Sequence, residues 1–145
     1  MRIGERGIQL IQKFEGCRLE AYLPTPNDKW SIGFGHTGPE VVEGLVWNQD
    51  QADEALFNDL EWVEACIDEN VTVPLIQPER DALGSFIFNL GCTNFRKSTL
   101  LVKINQLAMD EAAQEFLRWN KQGKDVLPGL TARRAAEKEL FERSA

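Results

Sequence analysis

Strand-like patterns in this chain are confined to residues 18–47, and everything after residue 48 reads as helix, turn and helix again. That segregation is the strongest constraint on the fold. It predicts an α+β architecture, with a small antiparallel sheet built early and a mainly helical body built late. Residues 5–15 come first as a helix, with Ile8, Ile11 and Phe14 at three-residue spacing, Leu10 widening the apolar face and Gly16 at the stop. Arg18–Leu23 and Trp30–Phe34 read as strands around the turn cluster Pro24-Thr25-Pro26-Asn27-Asp28, and Val41–Trp47 reads as a third.

A long helix is predicted over residues 49–69. Asn48 stands at its N-cap, with Gln51 three residues on as in a capping box. Ala52, Leu56, Leu60, Val63 and Ile67 form one apolar stripe. Twenty helical residues span about 30 Å, enough to join a sheet lobe to a helical lobe. Pro74 ends any continuation. Pro78–Leu90 carries Leu83, Phe86, Ile87 and Leu90 on one side before Gly91. Residues 98–107, 110–121 and 131–143 complete the helices, with Gly123 and Leu127-Pro128-Gly129 separating the last two. The expected organisation is one domain, 1–145, with a sheet lobe at about 16–48 and a helical lobe at about 70–145 plus the N-terminal helix.

Composition narrows the function. At 145 residues, 43% apolar and 27% charged, the chain can bury a proper core. No apolar run reaches membrane-spanning length, so no stable membrane association is expected. The start, MRIGERGIQL, lacks the apolar core of a signal peptide, so the chain is expected to begin in a cytoplasm. The net charge is −7, and residues 38–79 hold eleven acids and no Lys or Arg. Residues 80–145 carry eleven bases against eight acids. This balance argues against nucleic acid as a partner, which requires a basic surface. Cys17, Cys66 and Cys92 fit neither a disulfide framework nor a metal-ligand spacing, so free thiols, no metal and no cofactor are expected.

The chemistry concentrates in residues 13–38, KFEGCRLEAYLPTPNDKWSIGFGHTG. Glu15 ends an apolar helix, and a polar turn with Thr25, Asn27, Asp28 and Lys29 follows. The return strand carries Trp30 and Ser31 into a glycine-punctuated run. A carboxyl group on a rigid element, faced by polar side chains that orient a water, is what cleavage of a sugar polymer requires.

This segment resembles the N-terminal signature of phage-type lysozymes. NDLEWVEACI, RDALGSFIFNLG, FLRWNK and GLTARRAAEKELF are similar to later blocks of that family in the same order, over nearly the full chain. The resemblance implies an α+β lysozyme-like fold, in which a small sheet lobe and a helical lobe flank a cleft and a long helix joins them. It implies an endolysin, a muramidase that hydrolyses the β-1,4 bond between N-acetylmuramic acid and N-acetylglucosamine in peptidoglycan. Glu15 matches the family's general acid. His36, in the G-x-G-H-T setting, corresponds to a structural residue tying the sheet lobe to the long helix. Asn89 matches a position facing the cleft, and Phe95 and Thr99 are further substrate-binding candidates.

The second catalytic position departs from the family's pattern of Glu, eight residues, Asp or Cys, five residues, Thr. Ser31 fills the threonine position, and the step back from it lands on Thr25, while the turn's only acid is Asp28. Either Asp28 supplies the second carboxylate, or the Thr25 and Ser31 hydroxyls hold the water. A lytic transglycosylase working on one glutamate is the alternative enzyme. A non-catalytic wall-binding module on the same scaffold is the alternative outside enzymes. Arg133 and Arg134 read as a solvated or ion-paired helix face, and with Arg96 and Lys97 they form a basic surface for attraction to the wall. Trp47, Trp62 and Trp119 read as packing residues. A monomer is expected that depends on a separate membrane pore, a holin, to pass from the host cytoplasm to the periplasm and cell wall.

Overall fold

The computed structural model describes residues 1–144. Its elements are α1 (Glu5–Glu15), β1 (Arg18–Tyr22), β2 (Ser31–Gly33), β3 (His36–Thr37), α2 (Gln49–Asn70) and α3 (Gln77–Leu90). There follow α4 (Cys92–Lys97), α5 (Thr99–Asn105), α6 (Met109–Glu115), β4 (Lys121–Gln122), β5 (Asp125–Val126) and α7 (Pro128–Phe141). The fold is α+β, with strands β1-β2-β3 in one antiparallel sheet and helices after it. Two compact units divide the chain. One is Ile11–Glu61, and the other is Met1–Leu10 with the residues from Trp62 onward.

The sheet unit forms where sequence alternation and turn chemistry agree. Tyr22 pairs with Ser31 across β1 and β2, and Ser31 with Thr37 across β2 and β3. Ala21, Ile32 and Val41 make a small core, against which Trp30, Leu45 and Trp47 pack. The third strand expected at Val41–Trp47 is not a strand. Turns from Val41 to Gly38 and from Leu45 to Val42 break it, Gly44 takes φ +89°, and only a Glu20–Val46 bridge remains. The third strand is His36–Thr37 instead. Helix α2 opens as its sequence requires. The Asn48 amide donates to Gln51 Oε1 (2.9 Å), and the Gln51 amide donates to Asn48 Oδ1 (2.8 Å). Its stripe of Ala52, Leu56, Leu60, Val63 and Ile67 is buried throughout. Each of the large side chains there contributes roughly 1.5–3 kcal/mol.

In the helical unit Phe86 is the aromatic centre. It meets Phe95, Phe116 and Trp119 edge-on, with ring centroids 6.4, 5.4 and 5.8 Å away. Trp119 therefore packs as expected. Trp62 stacks on Phe88 at 6.2 Å but remains exposed. The N-terminal residues dock here too. The Ile3 amide donates to Glu64 (2.6 Å), the Gly4 amide donates to Asp81 (2.7 Å), and Arg80 Nε donates to Glu64 (2.9 Å). A Cβ on Gly7 or Gly84 would come within 2.7 Å of Ile3, so both glycines make room for that docking.

Further expectations need correction. Cys66 and Cys92 are joined in a disulfide, with Cα atoms 5.9 Å apart, because α2 carries Cys66 beside the first residue of α4; only Cys17 is free. Helix α4 was too short for periodicity to reveal. The helix expected over 110–121 stops at Glu115 and tightens into a 3₁₀ turn at Phe116–Arg118; Lys121 then enters a hairpin turned at Gly123, φ +62°. Arg133 and Arg134 are not a solvated face. They are 4% and 0% exposed, held by the fully buried Glu137 and by Ser85. They cannot serve as a basic surface for the wall.

Candidate active site

Glu15 is the last residue of α1. Gly16 ends the helix in the left-handed region at φ +68°, and its amide donates back to the Gln12 carbonyl (3.0 Å). The half-buried Glu15 carboxyl lies against the turn joining β2 and β3. A Cβ built on Gly35 would stand 3.0 Å from Glu15 Oε1, and Gly35 itself has φ +80°. Glycine at 35 is thus required twice, by its backbone and by the carboxyl it admits. Gly33, φ +66°, likewise admits the Trp47 ring, 3.1 Å from where its Cβ would be.

The turn after β1 is ordered by its own polar groups. The Asp28 amide donates to the Thr25 carbonyl (3.0 Å), and the Lys29 amide donates to Asp28 Oδ1 (3.0 Å). Thr25 and Asp28 are exposed. Ser31 is 5% exposed, and its hydroxyl donates to the Lys29 carbonyl (3.1 Å). Its lone pairs are the part left to accept a hydrogen bond.

The residue missed in the sequence is Tyr22, the chain's only tyrosine. It faces Ser31 across the ladder, and the Arg18 guanidinium stacks 4.5 Å from its ring centroid. Burial pushes the phenol above its ordinary range and Arg18 opposes the shift, while Glu15 and Asp28 both add to it. The signal available in the sequence was positional: Tyr22 sits at the end of β1, next to the departing turn.

His36 is doubly bonded. Nδ1 lies 2.7 Å from Asp59 on α2, and Nε2 lies 2.7 Å from Glu40. Burial opposes its charge, but the two carboxylates outweigh burial and hold the imidazole's pKa above the usual value. Glu40, exposed, is correspondingly lowered by the His36 bond.

The remaining candidates lie in the helical unit. Asn89, half-buried near the end of α3, accepts a hydrogen bond from Arg134 Nη2 (2.6 Å). Thr99 opens α5 and lines a cavity of about 290 Å³ with Lys97, Arg118 and Trp119. Phe95 is 0% exposed and serves the Phe86 cluster, so it offers no surface to a substrate. No group of three or more His, Cys, Asp or Glu arranged to hold a metal occurs among the described residues.

Comparison with known proteins agrees with this architecture. The phage lysozyme family model matches residues 12–137. An endolysin of Acyrthosiphon pisum secondary endosymbiont phage 1 is 43% identical over 98% of this chain and 99% of its own. The structure of a P22 lysozyme mutant superposes with a TM-score of 0.87 at 40% identity, covering 97% of this chain and 98% of that one. The muramidase domain of SpmX from Asticaccaulis excentricus gives a TM-score of 0.91 at 37% identity, covering 99% of both chains. With family match, full-length identity and fold in agreement, the chain belongs to the phage lysozyme family.

Proposed function

We propose that this chain is an endolysin that hydrolyses the β-1,4 bond between N-acetylmuramic acid and N-acetylglucosamine in peptidoglycan, with Glu15 as general acid. The observation that carries the reading is the seat of Glu15: a carboxyl fixed at a helix end and admitted by Gly35 beside the turn joining β2 and β3. Glu15 gives its proton to the glycosidic oxygen as the bond breaks. Asp28 acts as the second carboxylate, drawing the proton from the attacking water. Asp28 is the only acid in the turn after β1, and its place there is fixed by the Lys29 amide, which donates to its carboxylate (3.0 Å). Ser31 and Tyr22 orient that water through a lone pair and a phenolic proton. Asn89 and Thr99 are the substrate-binding candidates retained on the helical unit.

The acting species is taken as a monomer, passing from host cytoplasm to wall through a separate holin pore. No helix of the described residues is long and apolar enough to cross a membrane. The Cys66–Cys92 bridge suits an oxidising final compartment.

Glu15→Gln tests the core of this reading. The amide keeps the shape but has no acidic proton, so turnover of purified wall should fall about 10²–10⁴-fold. Near-normal turnover would remove Glu15 from the chemistry. Product analysis separates the mechanisms, since hydrolysis leaves reducing ends and transglycosylation leaves anhydro-muramic ends.

A further inference from the structure

Trp62, Cys66 and Asn70 recur at four-residue spacing along the last turns of α2. Each meets the neighbouring segment of the helical unit. Trp62 stacks on Phe88 (6.2 Å), Cys66 is bonded to Cys92, and Asn70 reaches the Cys92 sulfur. The chemistry proposed at Glu15 uses none of these groups. The two bridged sulfurs differ in access. Cys66 is 2% exposed, while Cys92 is half-buried at the start of α4. A thiol arriving from solvent therefore meets Cys92 first.

The polar surroundings of the bridge are fixed. Asn70 Nδ2 donates to the Cys66 carbonyl (2.8 Å) and lies 3.8 Å from the sulfurs of both Cys66 and Cys92. One of its hydrogens orients the amide, and the other serves the sulfurs. The Asn70 carbonyl accepts from Asn105 Nδ2 (3.0 Å), and Asn105 Oδ1 accepts from the Thr72 amide (2.9 Å). The end of α2 is thus held without the bridge. An N–H beside both sulfurs stabilises whichever one departs as thiolate. Helix α4 has less support at its start. It has six residues, its N-cap Gly91 offers no side-chain bond, and Thr93 and Asn94 are exposed. The fully buried Phe95 anchors its later half.

We propose that the Cys66–Cys92 bridge is an exchangeable redox site for a small thiol of the glutathione class, and that it latches the start of α4 to α2. In the opening direction a glutathione thiolate attacks Cys92 Sγ and a new sulfur–sulfur bond forms there. The electron pair of the old bond leaves on Cys66 Sγ, which Asn70 faces and which then takes a proton from water. A second glutathione thiolate attacks the glutathione sulfur of the mixed disulfide. That releases glutathione disulfide and Cys92 as a thiolate, which is protonated in turn. Two glutathiones are oxidised and one protein disulfide is reduced. With glutathione disulfide as the oxidant, the same steps run backward and close the bridge. Without the bridge, residues 91–94 open while the Phe95 side chain stays seated. Among reducing thiols the latch is open, and among disulfide oxidants it is closed. The site is independent of the role given to Glu15.

The test uses the full chain with Cys17→Ser, which leaves the bridged pair as the only cysteines. Adding Cys66→Ser or Cys92→Ser gives two single-thiol proteins, and each is treated with glutathione disulfide and followed by intact mass. The protein that keeps Cys92 should form its adduct about tenfold faster or more than the one that keeps Cys66. Equal rates, or a faster Cys66, would overturn the assigned entry sulfur. In the bridged protein, Asn70→Asp should slow reduction by glutathione about threefold or more, and an unchanged or higher rate would remove Asn70 from the chemistry. Amide relaxation then compares the bridged and reduced proteins. Order parameters at residues 92–94 should fall from about 0.85 to below about 0.6 on reduction, with α7 unchanged. Unchanged order at 92–94 would overturn the latch. Loss of order throughout the helical unit would also overturn it, by making the bridge a staple of the whole unit.

Discussion

Two glutamates, one in each unit, set the carboxyl proposed for catalysis against one committed to packing. Glu15 closes α1, half-buried, and its carboxyl approaches a glycine that leaves it room. Glu137 lies in α7 at 0% exposure, contacted by both Arg133 and Arg134 and receiving the Ser85 hydroxyl at 2.6 Å. Burial pushes the Glu137 carboxyl above its ordinary range even with Arg134 and Arg133 beside it. The first carboxyl can meet a ligand, while the second is committed to holding guanidiniums that would otherwise be buried unpaired. Accessibility, more than the presence of polar neighbours, separates the two carboxyls.

The sharpest break of this comparison is to remove each carboxylate in turn. Glu15→Gln should lose activity by the factor given above, with thermal stability nearly unchanged. Glu137→Ala should do the reverse. Stranding two buried guanidiniums costs about 3–5 kcal/mol, read as a lowered denaturation midpoint. Whatever fraction remains folded should keep its turnover per molecule. A stable Glu137→Ala protein, or an unfolded Glu15→Gln one, would erase the distinction.

Gly35→Ala probes the seat of Glu15 more gently. A left-handed backbone at φ +80° and a Cβ 3.0 Å from Glu15 Oε1 both resist the methyl group. A stability loss of about 1–2 kcal/mol is expected. Turnover should fall further than that of a control substitution of equal stability cost. Loss of stability alone would mean that Gly35 serves only the turn.

The smallest effect concerns His36, which is bonded to two carboxylates but partly open to solvent. Its folded pKa is raised, so its contribution to stability is full below the unfolded value near 6.5 and fades as pH rises through the folded one. Asp59→Asn should cost on the order of 1 kcal/mol at low pH, discounted for solvent screening, and less at alkaline pH. A melting-temperature difference between the two proteins that does not shrink with rising pH would contradict this.

Much of the fold was legible because it is written in local periods. The stripe from Ala52 to Ile67 defined a buried helix face, and Asn48 with Gln51 marked its start. Gly16 marked the end of α1 and so placed Glu15 at a helix terminus. Val41–Trp47 misled because its apolar residues serve the small core through turns, not through a ladder. Arg133 and Arg134 misled because charge ordinarily signals solvent: Glu137, three to four residues on, marks an ion-paired face, but only packing against Ser85 of another helix shows that this face lies inside.

By itself, then, the sequence determined the order of sheet and helices, the buried stripe of α2, the family and the position of Glu15. Each follows from spacing within one segment or from a run of matching blocks. Tertiary structure alone decided that Cys66 meets Cys92, that Phe95 is core, that Tyr22 stands opposite Ser31, and that Gly35 makes room for a carboxyl. These are meetings of residues from separate elements. Side-chain period specifies which face of an element is apolar, but which residue arrives opposite that face depends on how the whole chain packs.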